Sequence, residues 1–191
     1  MRLLAPLLLV AAVAPFAERK ETAAAREEAR RCLELARERA VEVCGRALAL
    51  GLATSRAAVV RRALALELIA LDRGTEAVEV YREAARAQPE DAETHLRLGQ
   101  ALLSIGGDAE AALPVLERAR DLRPDEPRTH GALGLAASAL GRAAEAVSSF
   151  EAALRLDPDY FASRPGARRA YEAALRGERW PVALTPSPPP P

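Results

Sequence analysis

The chain has 191 residues, half of them hydrophobic but only 4% aromatic, so its apolar surface is mostly Ala, Leu and Val. Acidic and basic residues balance at 27 each, which leaves no broad basic field of the kind nucleic-acid binding needs. The length suits one domain, and small apolar residues favour closely packed helices.

The N-terminus comes first. Arg2 precedes an almost unbroken apolar run from Leu3 to Ala17, which ends at the charged stretch Glu18, Arg19, Lys20, Glu21. A membrane-spanning helix needs about 20 apolar residues, so this run is short. Residues 1–17 read as a secretory signal or an uncleaved apolar anchor. Cleavage after Ala14 or Ala17 is disfavoured by Pro15, and the best small-residue pair is Val10 and Ala12, with the cut before Val13. The alternative is an apolar N-terminus on a cytosolic protein. Localisation follows that choice: periplasmic or secreted if the run is a signal, cytoplasmic otherwise.

Residues 18–57 are expected to form N-terminal helices, either a degenerate hairpin or one long helix from Glu21 to Leu50. Cys32 and Cys44 lie there, twelve residues apart. On one continuous helix they would be about 18 Å apart, beyond disulfide reach. They read as small core hydrophobes, and no bond between them is expected. Gly51 to Ser55 ends the segment, with Ser55 as a candidate cap for the next helix.

Residues 58–160 carry a repeat. Pro89, Pro124 and Pro158 are spaced by about 34 residues, and upstream of each the same pattern recurs. Ala84, Ala119 and Ala153 align, as do Tyr81, Leu116 and Phe150, then Ala77, Ala112 and Ala146. Earlier in each unit Leu64, Leu98 and Leu133 align, each followed by a small residue, Ala65, Gly99 or Gly134. Leu68, Leu102 and Ala137 follow, then Leu71, Ile105 and Leu140. Spacings of three and four mark amphipathic helices. The breaks at Asp72-Arg73-Gly74, Gly106-Gly107-Asp108 and Gly141-Arg142 divide each unit into two helices, and the late prolines stop the second. The units are 58–91, 92–126 and 127–160. Pro114 should loosen or bend the start of its helix.

On these columns the chain resembles the tetratricopeptide repeat family, with Leu98-Gly99, Ala112, Leu116, Ala119 and Pro124 as one full copy. Asp72 departs from the pattern, standing where the family usually has Gly. The resemblance implies an all-α solenoid of antiparallel helix hairpins in a right-handed superhelix. It implies a non-enzymatic adaptor that holds a protein or peptide on the concave face of its first helices. That face should carry Arg62, Leu66 and Ile69, then Glu93, Leu96, Gln100 and Leu103, then Arg128, Leu135 and Ser138. It reads as apolar, suiting a hydrophobic helix or extended segment, unless the leucines pack against the N-terminal helix. Some family members clamp an acidic C-terminus with Lys and Asn; those columns here hold Arg62, Leu96 and Gly131, and Leu66, Gln100 and Leu135, so that function is not carried over.

After the repeat, residues 161–178 read as a capping helix, polar at Arg168, Arg169, Glu172 and Arg176 and stopped by Gly177. Residues 179–191 form a Pro-rich tail expected to be extended. The two histidines, His95 and His130, occupy one column of successive units and are expected to be structural. No phosphate-binding loop, HExxH or nucleophile elbow occurs, and no cofactor, metal or nucleic acid is expected. Three roles remain: an adaptor for assembly of an envelope complex, a cytosolic scaffold or co-chaperone, and an accessory subunit of an enzyme complex.

Overall fold

The computed structural model describes residues 21–35 and 38–180. The apolar run at 3–17 and the tail from 181 lie outside the described residues, so the expectations for them are not addressed by it. Among the described residues there are nine helices and no strand. They are α1 (Ala23–Glu34), α2 (Glu38–Ala49), α3 (Thr54–Ala70), α4 (Gly74–Ala87), α5 (Ala92–Ser104), α6 (Ala109–Leu122), α7 (Pro127–Ala139), α8 (Ala143–Leu156) and α9 (Pro165–Leu175). None is long and apolar enough to cross a membrane.

The helices pair in sequence as α1/α2, α3/α4, α5/α6 and α7/α8, and each second helix packs on the first helix of the next pair. The result is an all-α solenoid. The three repeat seams, α3/α4, α5/α6 and α7/α8, have the same logic. Ala77, Ala112 and Ala146 are completely buried, Tyr81 is buried in the same position as Leu116 and Phe150, and the last two fill the space beneath Gly99 and Gly134 of the facing helix. A Cβ added at Gly134 would lie 2.9 Å from the Phe150 ring, and one at Gly99 would lie 2.4 Å from Leu116 Cδ2. The glycines there set the helix separation.

The turns depend on one residue each with positive φ: Asp72 at 60°, Gly107 at 60° and Gly141 at 73°. In the first unit that residue is Asp72 rather than Gly74. Gly74 begins α4, and its missing Cβ makes room for Ile105, whose Cγ2 would otherwise be 2.6 Å away. Pro114 is exposed within α6, which runs unbroken past it.

The N-terminal segment is a hairpin, not one long helix, and this overturns the expectation for its cysteines. The chain leaves the helix at Leu35, where the backbone is extended (φ −93°, ψ 165°), and α2 begins at Glu38. Folding back brings Cys32 and Cys44 to a Cα separation of 4.8 Å, and they are joined as a disulfide. The 18 Å estimate failed because it assumed helix through residues 35–37. The start of α3 also differs: it begins at Thr54 with Ala53 in the cap position, so Ser55 lies inside the helix and caps nothing. Ala57 is buried and its N–H already bonds the Ala53 carbonyl, which draws residues 54–56 into the first turn.

At the other end α9 packs on α7 and α8 and presents Arg168, Arg169 and Arg176 to solvent. Gly177 ends it at φ 70°. Arg179 and Trp180 are not free tail: Arg179 Nε donates to the Ala139 carbonyl and Trp180 N–H donates to Ser138 O at 3.2 Å. These bonds cap the C-terminal carbonyls of α7.

Candidate functional site: the face of the first helices

The first helices α3, α5 and α7 carry the ten residues expected to meet a partner. The structure divides them. Arg62, Glu93, Gln100, Arg128 and Leu135 are half-buried, and Leu66 and Ile69 are 50% and 40% exposed. Leu96, Leu103 and Ser138 are interior, at 1%, 5% and 1%. The face is therefore not apolar throughout. Leu96 and Leu103 belong to the main core cluster, because α5 has neighbours on both sides in the stack. Ser138 is closed over by α9, with its hydroxyl directed at the Ala170 carbonyl at 3.5 Å. The Leu96 column shows how repeat position alone misleads: Arg62 there is part-exposed, while Gly131 is covered by the phenol of Tyr160.

What remains has two halves. On α3, Val59, Leu66 and Ile69 stand exposed around Arg62, at spacings that place all four within an arc of about 80°. Val59 was not anticipated, although its position one turn before Arg62 signals it. No other helix among the described residues leaves more than one large apolar side chain exposed. The opposite side of α3 buries Ala57, Ala58, Val60, Leu64, Ala65 and Leu68. This helix is apolar nearly all round, the pattern of one built to be covered on two sides.

The α5 and α7 half is a ledge of paired charges. Asp91, at the N-cap of α5, accepts from the Glu93 N–H and from the Thr94 hydroxyl, and also from Arg62 of the preceding unit at 2.6 Å. Glu126 holds the same place on α7, accepting from the Arg128 N–H. Arg128 binds Glu126 and reaches back to Glu93, both at 2.9 Å, and Glu93 also takes Arg97 at 2.8 Å. The hydrogen bond from Arg128 holds the Glu126 carboxyl below its ordinary pKa against the opposing effect of burial. The Arg128 guanidinium is correspondingly raised, by Glu126 first. Carboxylates at helix N-termini meet the positive end of the helix dipole, so each cap also orders the arginine that links neighbouring units. Sequence spacing gave no signal for the Arg62–Asp91 pair, whose partners lie in different columns, whereas Glu93 and Arg128 share one column of successive units, 35 residues apart, and their opposite charges there were legible.

The histidines have a repeated structural task. His95 Nε2 is 3.0 Å from the Pro89 carbonyl and His130 Nε2 is 2.6 Å from the Pro124 carbonyl, so each imidazole N–H ties the linker to the helix that follows.

Comparisons agree with this architecture. A single-substitution mutant of MamA is 28% identical over 70% of this chain and 76% of its own, with a TM-score of 0.58. YrrB, described as a TPR protein with an unusual peptide-binding site, is 25% identical over 73% of this chain and 77% of its own, with a TM-score of 0.56. MamA from Desulfovibrio magneticus RS-1, residues 41 to the end, shares the fold at 21% identity over 84% of this chain and 93% of its own, with a TM-score of 0.58. No curated protein matches the sequence. The tetratricopeptide repeat model matches residues 62–127 and 106–161, together just over half of the chain. On that match and this solenoid, the chain belongs to the tetratricopeptide repeat family and has the architecture of a protein-interaction scaffold.

Proposed function

We propose that the chain is a non-enzymatic adaptor acting outside the cytoplasm, where it holds an apolar segment of a partner during assembly of an envelope complex. The observation that carries the binding half is the exposed stripe of Val59, Leu66 and Ile69 on α3. A hydrophobic helix or extended segment laid there would gain burial of three large side chains, and the neighbouring charge ledge would border it. YrrB's peptide-binding site supports a peptide as the class of ligand for such a scaffold. Two features support the compartment: the apolar run after Arg2, and the Cys32–Cys44 disulfide, a bond that persists in oxidising compartments.

The test has two arms. N-terminal sequencing of the chain from its own cells should find a start near Val13 in the extracytoplasmic fraction; Met1 intact in the cytosolic fraction refutes the location. Affinity capture should then be repeated with Leu66→Glu and Ile69→Glu. Both side chains are already half in water, so these variants fold, and undiminished partner recovery excludes the α3 groove.

A further inference from the structure

We propose that the groove between α4 and α6 is a second docking site, for an extended partner segment that carries an aliphatic side chain and, two residues along, a Glu or Asp. The groove lies among the second helices of the hairpins and does not depend on the α3 stripe. Leu98 and Leu102 of α5 form its floor, and the cavity above them measures about 330 Å³.

The molecule holds its own comparison. The next groove, between α6 and α8, measures about 370 Å³ and is lined from the same repeat columns. Its floor has Leu133 and Ala137 where the first has Leu98 and Leu102. The walls differ in kind. Where the first groove has Ala85, Ala111 and Val115, the second has Arg120, Glu145 and Ser149. Where the first has Arg82 and Arg86, the same columns then hold Glu117 and Asp121. Both sets are compatible with the same helix packing, so the fold does not account for apolar walls beside a cationic rim.

The charge on that rim is not all used inside the molecule. Arg82 meets Glu79 at 2.5 Å, and Arg118 meets Glu90 at 2.6 Å. The Pro89 carbonyl occupies His95 Nε2. Arg86 is exposed in the last turn of α4 and has no carboxylate within ion-pair distance among the described residues. One free guanidinium suits one carboxylate, which it can hold by two parallel hydrogen bonds. Arg86 closes α4 and His95 opens α5, so both stand at the linker end of the groove. Leu102, near the end of α5, and Ala111, in the first turn of α6, stand at the other end. From His95 to Leu102 is about 10 Å of helix. A single amino acid cannot place its side chain at one end and its own carboxylate at the other. In an extended segment residues i and i+2 face the same way, about 6.6 Å apart, and the length of a Glu or Asp side chain supplies the rest. That spacing sets the aliphatic residue over Ala111 and Val115 and the carboxylate on Arg86.

The experiment titrates the isotope-labelled full chain with a peptide blocked at both ends that presents Leu-Ser-Glu between Gly-Ser flanks. Amide shifts should saturate in residues 82–86, 98–102 and 111–115 and leave 117–121 and 145–149 in place. A Leu-Ser-Lys peptide should not bind, a comparison that needs no variant. Arg86→Asp should weaken the Leu-Ser-Glu peptide about fivefold or more and turn the preference towards Leu-Ser-Lys. Ala111→Glu with Val115→Ser should abolish binding. These variants install the residues that the next groove already carries at those columns, so the fold accepts them. Leu66→Glu and Ile69→Glu should leave the titration unchanged, which separates this site from the α3 groove. The proposal is overturned by the absence of a saturable shift, by equal binding of the Lys peptide, or by shifts confined to α3. It is also overturned if binding requires an unblocked C-terminus, which would make the ligand a chain end, or if valerate alone gives the same shifts, which would make this a site for small acids.

Discussion

Replacing Cys32 and Cys44 together by Ala tests the N-terminal hairpin. Its seam is thin: Ala25, Ala29, Ala40 and Ala47 are its buried small residues, with Val43 and the two cysteines between them. No glycine faces an aromatic ring here, as Gly134 faces Phe150. The crosslink closes a loop with a sequence separation of 12. On the chain-entropy account, a loop of that size stabilises by about 3 kcal/mol. At roughly 2–4 °C per kcal/mol for a chain of this length, the thermal midpoint should fall by roughly 6–12 °C. Alanine is the right replacement, because both sites are buried and a serine would bury a hydroxyl. Melting followed by circular dichroism, with and without dithiothreitol, gives the comparison: the unaltered chain should lose the same stability on reduction, and the variant should ignore the reductant. Hydrogen exchange should place the loss in residues 23–49 and spare α6 to α9, since each unit touches only its neighbours. Two reactive thiols per chain in unreduced, folded protein would refute the bond, and an unchanged midpoint on reduction would refute the stapling role.

Three further outcomes follow from local geometry. Gly45→Ala and Gly99→Ala bring the same helix gain of about 1 kcal/mol, but a Cβ at Gly45 meets nothing within 4 Å while one at Gly99 meets Leu116 at 2.4 Å; urea unfolding should show the first stabilising and the second destabilising by about 1–2 kcal/mol, and a shared sign would contradict the seam. Asp72→Gly should stabilise by about 0.5–1 kcal/mol, because Asp72 holds φ 60° without glycine's freedom; a loss measured by the same method would mean its carboxylate matters more than its backbone. Glu126→Gln should cost about 1 kcal/mol at pH 7: the folded carboxyl is depressed by Arg128, so its contribution is present above the unfolded pKa of about 4.3 and is lost as pH falls through the folded value. Unfolding curves of the two proteins should therefore converge as the pH falls below 4.

The hairpin seams were legible because they are one-dimensional: small residues and their large partners recur at fixed columns, and burial follows from the column alone. The same holds for the histidines, whose proline carbonyls recur six residues upstream. Three features were not legible. The break after α1 has no glycine or proline, only an extended Leu35, so spacing along a presumed helix hid the disulfide. The interior placement of Leu96, Leu103 and Ser138 depends on which neighbours cover each helix, and a repeat column does not encode position in the stack. The Asp91 and Glu126 caps recruit arginines from different columns, so their ladder is a property of the assembled units.

The two ends of the solenoid are finished differently, and that gives the groove a direction. At the C-terminal end the chain is sealed: the Tyr160 hydroxyl occupies the space where a Gly131 side chain would stand, its Cβ position lying only 1.7 Å away, and Arg179 and Trp180 close the end of α7. Near the N-terminal end, one hairpin in, α3 is covered on one side and open on the other. Between them lies the ledge, where each carboxylate already has an arginine. A partner carboxylate would have to displace Glu93 or Glu126 from Arg128, and the new pair would gain little over the old one. Charge on the ledge therefore orients a bound segment without attracting it. On the proposed reading affinity comes from α3, where Val59, Leu66 and Ile69 are exposed apolar side chains. A ligand that carries its apolar residues at one end should bind with that end over α3, and replacing those residues by serine should abolish binding where neutralising its charges does not.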